Sequence, residues 1–254
     1  MNPLLPNVDA LLPPPFAWCE VQSSQPVTLT VGEWQNFQYQ VKETIEVNGP
    51  YHFWMSKYLI TNAQYLVFLD AEDGYANEAW WARQNHPLAL ESRLANAQPV
   101  EMARDNDRPA TWASFYDAKA FCAWLHHRLN LPPTLEIRLP AEQEWQKAAQ
   151  GDDQRRYPWG DEFATTRANT RDGNIVKTTP VTQFPDGASP FGVFDMSGNV
   201  WEWCDSFVET GAVLRGGSWR FDARFATTTY RYFYEPDQGH GNIGFRIIVQ
   251  AKSA

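Results

Sequence analysis

The chain has 254 residues, of which 43% are hydrophobic and 20% charged, so it can bury a sizeable core as one large domain or two small ones. Its 21 Lys and Arg against 30 Asp and Glu leave a net charge of −9, which argues against a phosphate-binding surface as the main function, because nucleic-acid affinity rests on basic residues. With 15 Gly and 18 Pro it is neither collagen-like nor low-complexity.

Residues 1–17 carry Pro3, Pro6 and Pro13 to Pro15 and read as an extended arm ahead of a single domain over 18–254. The arm has no basic start and its apolar run is broken by proline, so it is not a secretory signal. No apolar stretch is long enough to span a membrane. A soluble, cytoplasmic protein without nucleic-acid or membrane partners is expected. Cys19, Cys122 and Cys204 are sparse, odd in number and without a CxxC pair, which fits free thiols rather than a disulfide scaffold or a zinc knuckle.

Val27, Leu29 and Val31 alternate with polar residues and predict a strand, and the aromatic segment from Tyr51 to Leu59 predicts another extended run. A helix follows, with Thr61 and Gln64 as a capping box and Tyr65, Leu66, Phe68 and Leu69 as its apolar face, failing near Gly74. Residues 74–110 lack periodicity and read as a long, partly ordered loop carrying Trp80 and Trp81. A second helix starts at Ser114, with Asp117 at the box position, and is stopped by Pro132 and Pro133. Leu135, Ile137 and Leu139 mark a short strand. A third helix spans about Glu142 to Gln150, with Gly151 as its terminating residue and Ala141 where a capping hydroxyl would be expected. Beyond it come turn signals and two strands, Val213 to Arg215 and Ile243 to Val249, the latter the clearest strand pattern in the chain.

Seven segments then align in order with one family: SKYLITNAQYLVFLDA at 56–71, WASFYDAKAFCAWL at 112–125, RLPAEQEW at 138–145, RYPWGDEF at 156–163, DMSGNVWEWC at 195–204, LRGGSW at 214–219 and NIGFRIIV at 242–249. Together they resemble the formylglycine-generating (sulfatase-modifying factor) enzymes over nearly the whole chain. The resemblance implies an α+β, C-type-lectin-like fold: a small antiparallel sheet, two to three helices and long irregular loops. It also implies structural Ca2+ held through Asn199, the Val200 carbonyl and Glu202, with a weaker second site at Asn169 and Asp172. Two side chains fall short of the six to eight oxygens Ca2+ takes, so a metal-free turn stabilised by hydrogen bonds is the alternative reading of Asn199 and Glu202.

Formylglycine-generating enzymes hold Cu(I) with two cysteines in the segment after RGGSW. Here residues 220–241 contain none, so no copper is expected and the oxidase activity is not carried over. Another branch of that family, the nonheme-iron sulfoxide synthases, needs three histidines for iron; here His52, His86, His126, His127 and His240 form no HxxxH pattern, and the adjacent His126 and His127 read as surface residues, so no iron is expected. An oxidoreductase or other enzyme of the family with different chemistry is one alternative, and a scaffold or sensor module of a larger assembly, contacting partners through the arm and the 74–110 loop, is another.

Residues 220–241 are rich in contact-making side chains: Arg220, Phe221, Asp222, Phe225, Tyr230, Tyr232, Phe233, Tyr234, His240 and, at its end, Gly241. Tyr and Arg are favoured at binding hot spots. The placement between GGSW and IGFR is similar to that in the variable proteins of diversity-generating retroelements. There, diversified positions encode residues with NNC codons, a set to which all ten belong. The expectation is a ligand-binding face for a protein or other macromolecule at 220–241, with Arg231 among the framework residues, pairing a carboxylate.

Overall fold

The computed structural model describes residues 5–35, 38–82, 84, 107–208 and 211–252. Most of the predicted 74–110 loop, including His86, lies outside them. Three sheets make up the framework. The first orders its strands β1 (Trp18–Ser23), β4 (Tyr51–Ser56), β10 (Ile248–Ala251) and β5 (Leu135–Arg138), all antiparallel. The second is the hairpin of β2 (Val27–Gln35) and β3 (Gln38–Val47). The third runs β8 (Arg231–Tyr234), β7 (Gly211–Arg215), β6 (Trp201–Val208) and β9 (Ile243–Gly244), with β6 and β9 parallel.

Local chemistry accounts for the helices. In α1 (Asn62–Asp70) the Thr61 hydroxyl accepts from Gln64 N at 3.3 Å and Gln64 Oε1 accepts from Thr61 N at 3.0 Å. After the short α2 (Ala79–Ala82), α3 (Phe115–Arg128) repeats the device with Ser114 and Asp117. In α4 (Glu142–Gln150) Ala141 offers no side-chain acceptor, yet Glu144 still reaches back to Ala141 N at 2.7 Å, and Gly151 ends the helix at φ 70°. The larger core gathers the apolar faces of α1 and α3 against Trp201, Trp203, Leu214 and Phe245. The smaller one packs α4, through Trp145 and Ala148, against Val21, Phe53, Met55 and Cys204.

Three sequence expectations change. The arm is docked: Val8 and Leu12 are buried in the larger core, and Gln64 Nε2 donates to Pro13 O at 2.9 Å and Pro15 O at 2.8 Å. The 243–249 strand is split. Residues 243–244 pair with β6 and residues 248–251 with β4 and β5, because the chain crosses between sheets where Arg246 turns inward to Glu202. The segments β1, β3, β6 and β8 were not predicted. In β6, Trp201, Glu202, Trp203 and Cys204 are all buried, so the alternation that marks a half-buried strand is absent.

From residue 152 to 200 there is no strand or α-helix, only two single 3-10 turns. Backbone bonds and anchored rings take their place. Asn199 N donates to Asn169 O at 2.8 Å, Gly198 N to Gly216 O at 2.7 Å, and Tyr157 and Trp159 stack at 5.6 Å. Gly198 (φ 83°) is required at its position, since a Cβ there would lie 2.4 Å from Asn169 O. Among the described residues no helix is long and apolar enough to cross a membrane.

Candidate functional site: an aromatic pocket above strand β6

Arg215, at the end of β7, is fully buried and bonded to Glu142, Gln146 and Tyr230 O. Arg231 on β8 meets the same Glu142 carboxylate. This two-arginine clamp ties β7 and β8 to the start of α4, so β8 is held by a buried ionic contact as well as by its ladder. The expected carboxylate partner of Arg231 is therefore found, 89 residues away in sequence.

With Arg231 turned to the clamp, strand alternation sends Tyr232 and Tyr234 to the other face. There they meet Trp201, whose ring stacks on Tyr232 at 5.4 Å. The result is a pocket of about 360 Å³. Its buried floor is Trp201, Asn242 and Ile243; Phe221, Tyr232, Tyr234 and His240 form its walls, and exposed Arg220 stands at its rim. Two polar atoms belonging to this lining, Trp201 Nε1 and His240 Nδ1, are buried without a hydrogen-bond partner. Each such atom costs about 1–3 kcal/mol, so the lining is not arranged for stability alone.

The pocket has one charged side chain. Arg220 lies over the Trp219 ring at 5.6 Å and has no carboxylate partner among the described residues. Its neighbours differ: Arg171 and Arg224 both pair with Asp222, at 2.7 and 2.9 Å. Hydrogen bonding from Arg224 holds the Asp222 carboxyl below its usual range.

Of the ten expected ligand residues, Arg220, Phe221, Tyr232, Tyr234 and His240 line the pocket. Asp222 is instead a counter-ion and the cap of a 3-10 turn, 8% exposed. Phe225 and Tyr230 are packing residues, with rings 5.2 Å apart between Phe221 and Trp201. Phe233 points away from the pocket and is 42% exposed. Gly241 contributes room, because a Cβ there would press on the Trp112 ring at 3.2 Å.

Two features were missed. Trp201, the first Trp of the GNVWEW motif, is the pocket floor. Trp112 stacks on His240 at 5.5 Å, is 46% exposed and sits at φ 67°, strained for a bulky side chain. Its only sequence signal is its position at the head of a family motif.

The calcium expectation does not fit the residues present. Glu202 is fully buried and spent on other partners: Arg246 Nε at 2.5 Å and Nη2 at 2.8 Å, and Trp145 Nε1 at 2.8 Å. The guanidinium already supplies the positive charge. Asn199 Oδ1 accepts from Thr179 N and Asn169 Nδ2, and its Nδ2 donates to Thr179 O and Asp195 Oδ2. Asn199 and Glu202 thus belong to separate hydrogen-bond networks. The Val200 carbonyl then has no partner ligands to join. At the second site Asp172 is turned to Thr170 and Ala223 N, leaving Asn169 Oδ1 as a lone buried acceptor, far short of a Ca2+ shell. Burial lifts the Asp195 carboxyl to about 7.

All three cysteines are buried and none lines the pocket. Burial pushes the Cys19, Cys122 and Cys204 thiols up, away from the thiolate needed for a soft metal or a nucleophile.

Sheets bridged by long loops, with a pocket roofed by the segment after GGSW, define a C-type-lectin-like domain of the formylglycine-generating type. The chain belongs to the sulfatase-modifying factor enzyme 1-like domain family, whose profile matches residues 21–251. Among curated relatives it is 35% identical over 193 residues to the inactive Cα-formylglycine-generating enzyme 2 of Mus musculus, covering 68% of this chain and 58% of that one. It is 27% identical over 231 residues to the hercynine oxygenase of Mycolicibacterium thermoresistibile, covering 74% and 48%. The chain spans about half the length of the curated relatives it matches. Among solved structures, variable protein 1 of Treponema denticola superposes with a TM-score of 0.66 at 21% identity, covering 92% of this chain and 94% of that one. CarF gives 0.65 at 19% identity, covering 94% and 99%.

Proposed function

We infer that this protein is a non-catalytic binding protein that presents residues 220–241 to a protein or other macromolecular ligand. The observation that carries the reading is the division of labour on β8. Arg231 is locked to Glu142, while Tyr232 and Tyr234 on the opposite face, with Arg220 and His240 nearby, are partly or fully open to solvent. A rigid strand presenting aromatic side chains supplies contact area at low entropic cost. The likeness to a variable protein supports the reading at the level of fold, and a diversified face would fit the same arrangement.

The test compares capture of partners by the intact chain and by an Arg220→Ala/Tyr234→Ala variant. A partner bound by the first and released by the second supports the reading. A partner held equally by both places recognition elsewhere. Sequencing of flanking DNA tests diversification separately: a template repeat with AAC at these codons beside a reverse transcriptase supports it, and its absence removes that version.

A further inference from the structure

The pocket wall has two chemically different parts, and a ligand must satisfy both. The inner part is aromatic: Trp201, Phe221, Tyr232, Tyr234 and His240 turn ring faces and edges into about 360 Å³. Such walls favour a flat aromatic group, through offset stacking and edge contacts. A cavity of roughly 150 Å³ already holds a benzene, so this one accepts a bicyclic ring with a short substituent. Ring faces carry negative potential, so the same walls disfavour an anion placed against them.

The rim carries the opposite preference. Arg220 is the only charge among the lining residues, and no carboxylate lines the pocket. Asp222, the nearest acid in sequence, is occupied by Arg171 and Arg224. Arg220 therefore offers a planar fork of N–H donors, suited to a carboxylate, without an internal competitor. A cation enclosed by the rings would gain from their faces but would sit beside this guanidinium. In a chain of net charge −9 an unpaired arginine at a pocket rim is a local exception to the overall field.

We propose that the pocket binds an aromatic carboxylate, with the ring seated against the already stacked Trp201 and Tyr232 and beside Tyr234, and the acid on Arg220. The ligand is either a free aryl or indolyl acid or the C-terminal aromatic residue of a peptide, which carries the same two groups. The proposal deepens the binding reading and rests on this face being the ligand site.

Three probes share one ring and differ in charge: indole-3-acetate, its amide, and tryptamine. Calorimetric titration into the intact protein is expected to rank them in that order, the acid about fivefold tighter than the amide, as a partly exposed ion pair supplies. Arg220→Ala should abolish the difference and Arg220→Lys should keep part of it. Both changes fall on an exposed side chain, so thermal melts should match the parent.

A difference below about twofold, one that survives Arg220→Ala, tighter binding of tryptamine, or no saturable binding by any probe overturns the proposal. Short peptides ending in Trp, with a free or an amidated C-terminus, separate the two sources. The two readings fail separately. If the probes fail but a macromolecular partner is released by the Arg220→Ala/Tyr234→Ala variant, the ligand class is wrong and the face stands. If the acid binds through Arg220 and no macromolecule does, the face and the ligand class stand and the macromolecular reading falls.

Discussion

Replacing Arg246 with Met removes the guanidinium that, among the described residues, pairs with Glu202. Both side chains are fully buried, and Arg246 also donates to Ser56 O at 3.1 Å and Phe194 O at 2.8 Å. In the variant the Glu202 carboxylate keeps Trp145 Nε1 as its side-chain donor among the described residues, and the Ser56 and Phe194 carbonyls each lose the donor Arg246 gave them. Removing one member of a buried pair costs about 3–5 kcal/mol. At about 2–4 °C per kcal/mol for a chain of this size, the melting temperature should fall by about 6–20 °C. Differential scanning calorimetry reads the effect directly. The double variant Glu202→Leu/Arg246→Met should recover much of the loss, because no charge is then left buried alone. A single variant that loses less than about 1 kcal/mol, or a double variant as unstable as the single one, would refute the view of Glu202 as an ion-pair partner.

Calcium discriminates the same point from another side. An occupied site at 100 times its dissociation constant would add about 2.7 kcal/mol, so unchanged melts with excess Ca2+ or with EDTA are expected, and a rise of several degrees would restore the metal reading. Asp195 sets a pH dependence. Its folded pKa of about 7 lies above the usual 3.8, so the folded state binds the extra proton and stability declines as pH rises from near 3.8 to about 7. At 1.36 kcal/mol per pH unit the decline is on the order of 4 kcal/mol. Asp195→Asn should flatten that part of the stability profile, and an unchanged slope would show that other groups carry it. At the start of α4, Ala141→Ser supplies the missing acceptor and should add about 1 kcal/mol, visible as a melting point about 2–4 °C higher; a decrease would mean the hydroxyl finds no N–H there.

What the sequence disclosed follows from the range of the interactions involved. The capping boxes of Thr61 and Ser114 span three residues, so both helix starts were readable from adjacent letters. The family motifs carried the fold class, since they place the GNVWEW and GGSW turns in order. Partners distant in sequence were not readable. Glu202 beside Asn199 suggests a cation site until Arg246, 44 residues on, is seen to occupy the carboxylate. The role of Asp222 likewise depends on Arg171, 51 residues earlier. Aromatic content marked 220–241 as a contact surface but could not sort it. Tyr230 and Phe225 have the same chemistry as Tyr232 and Tyr234; Tyr230 even shares their strand parity, and only the packing of Tyr230 and Phe225 on each other, between Trp201 and Phe221, takes them out of the pocket.

Gln64 spends its amide on two structures at once. The oxygen closes the first turn of α1 and the single nitrogen, through its two N–H groups, binds the arm at Pro13 and Pro15. A protease that cut the arm, or a truncation that removed it, would uncover Val8 and Leu12 contacts and release the same side chain that caps the helix. Damage to the first residues would thus be felt at the head of α1, on the far side of a 49-residue stretch of chain. An expression tag is safer added ahead of the arm than substituted for it.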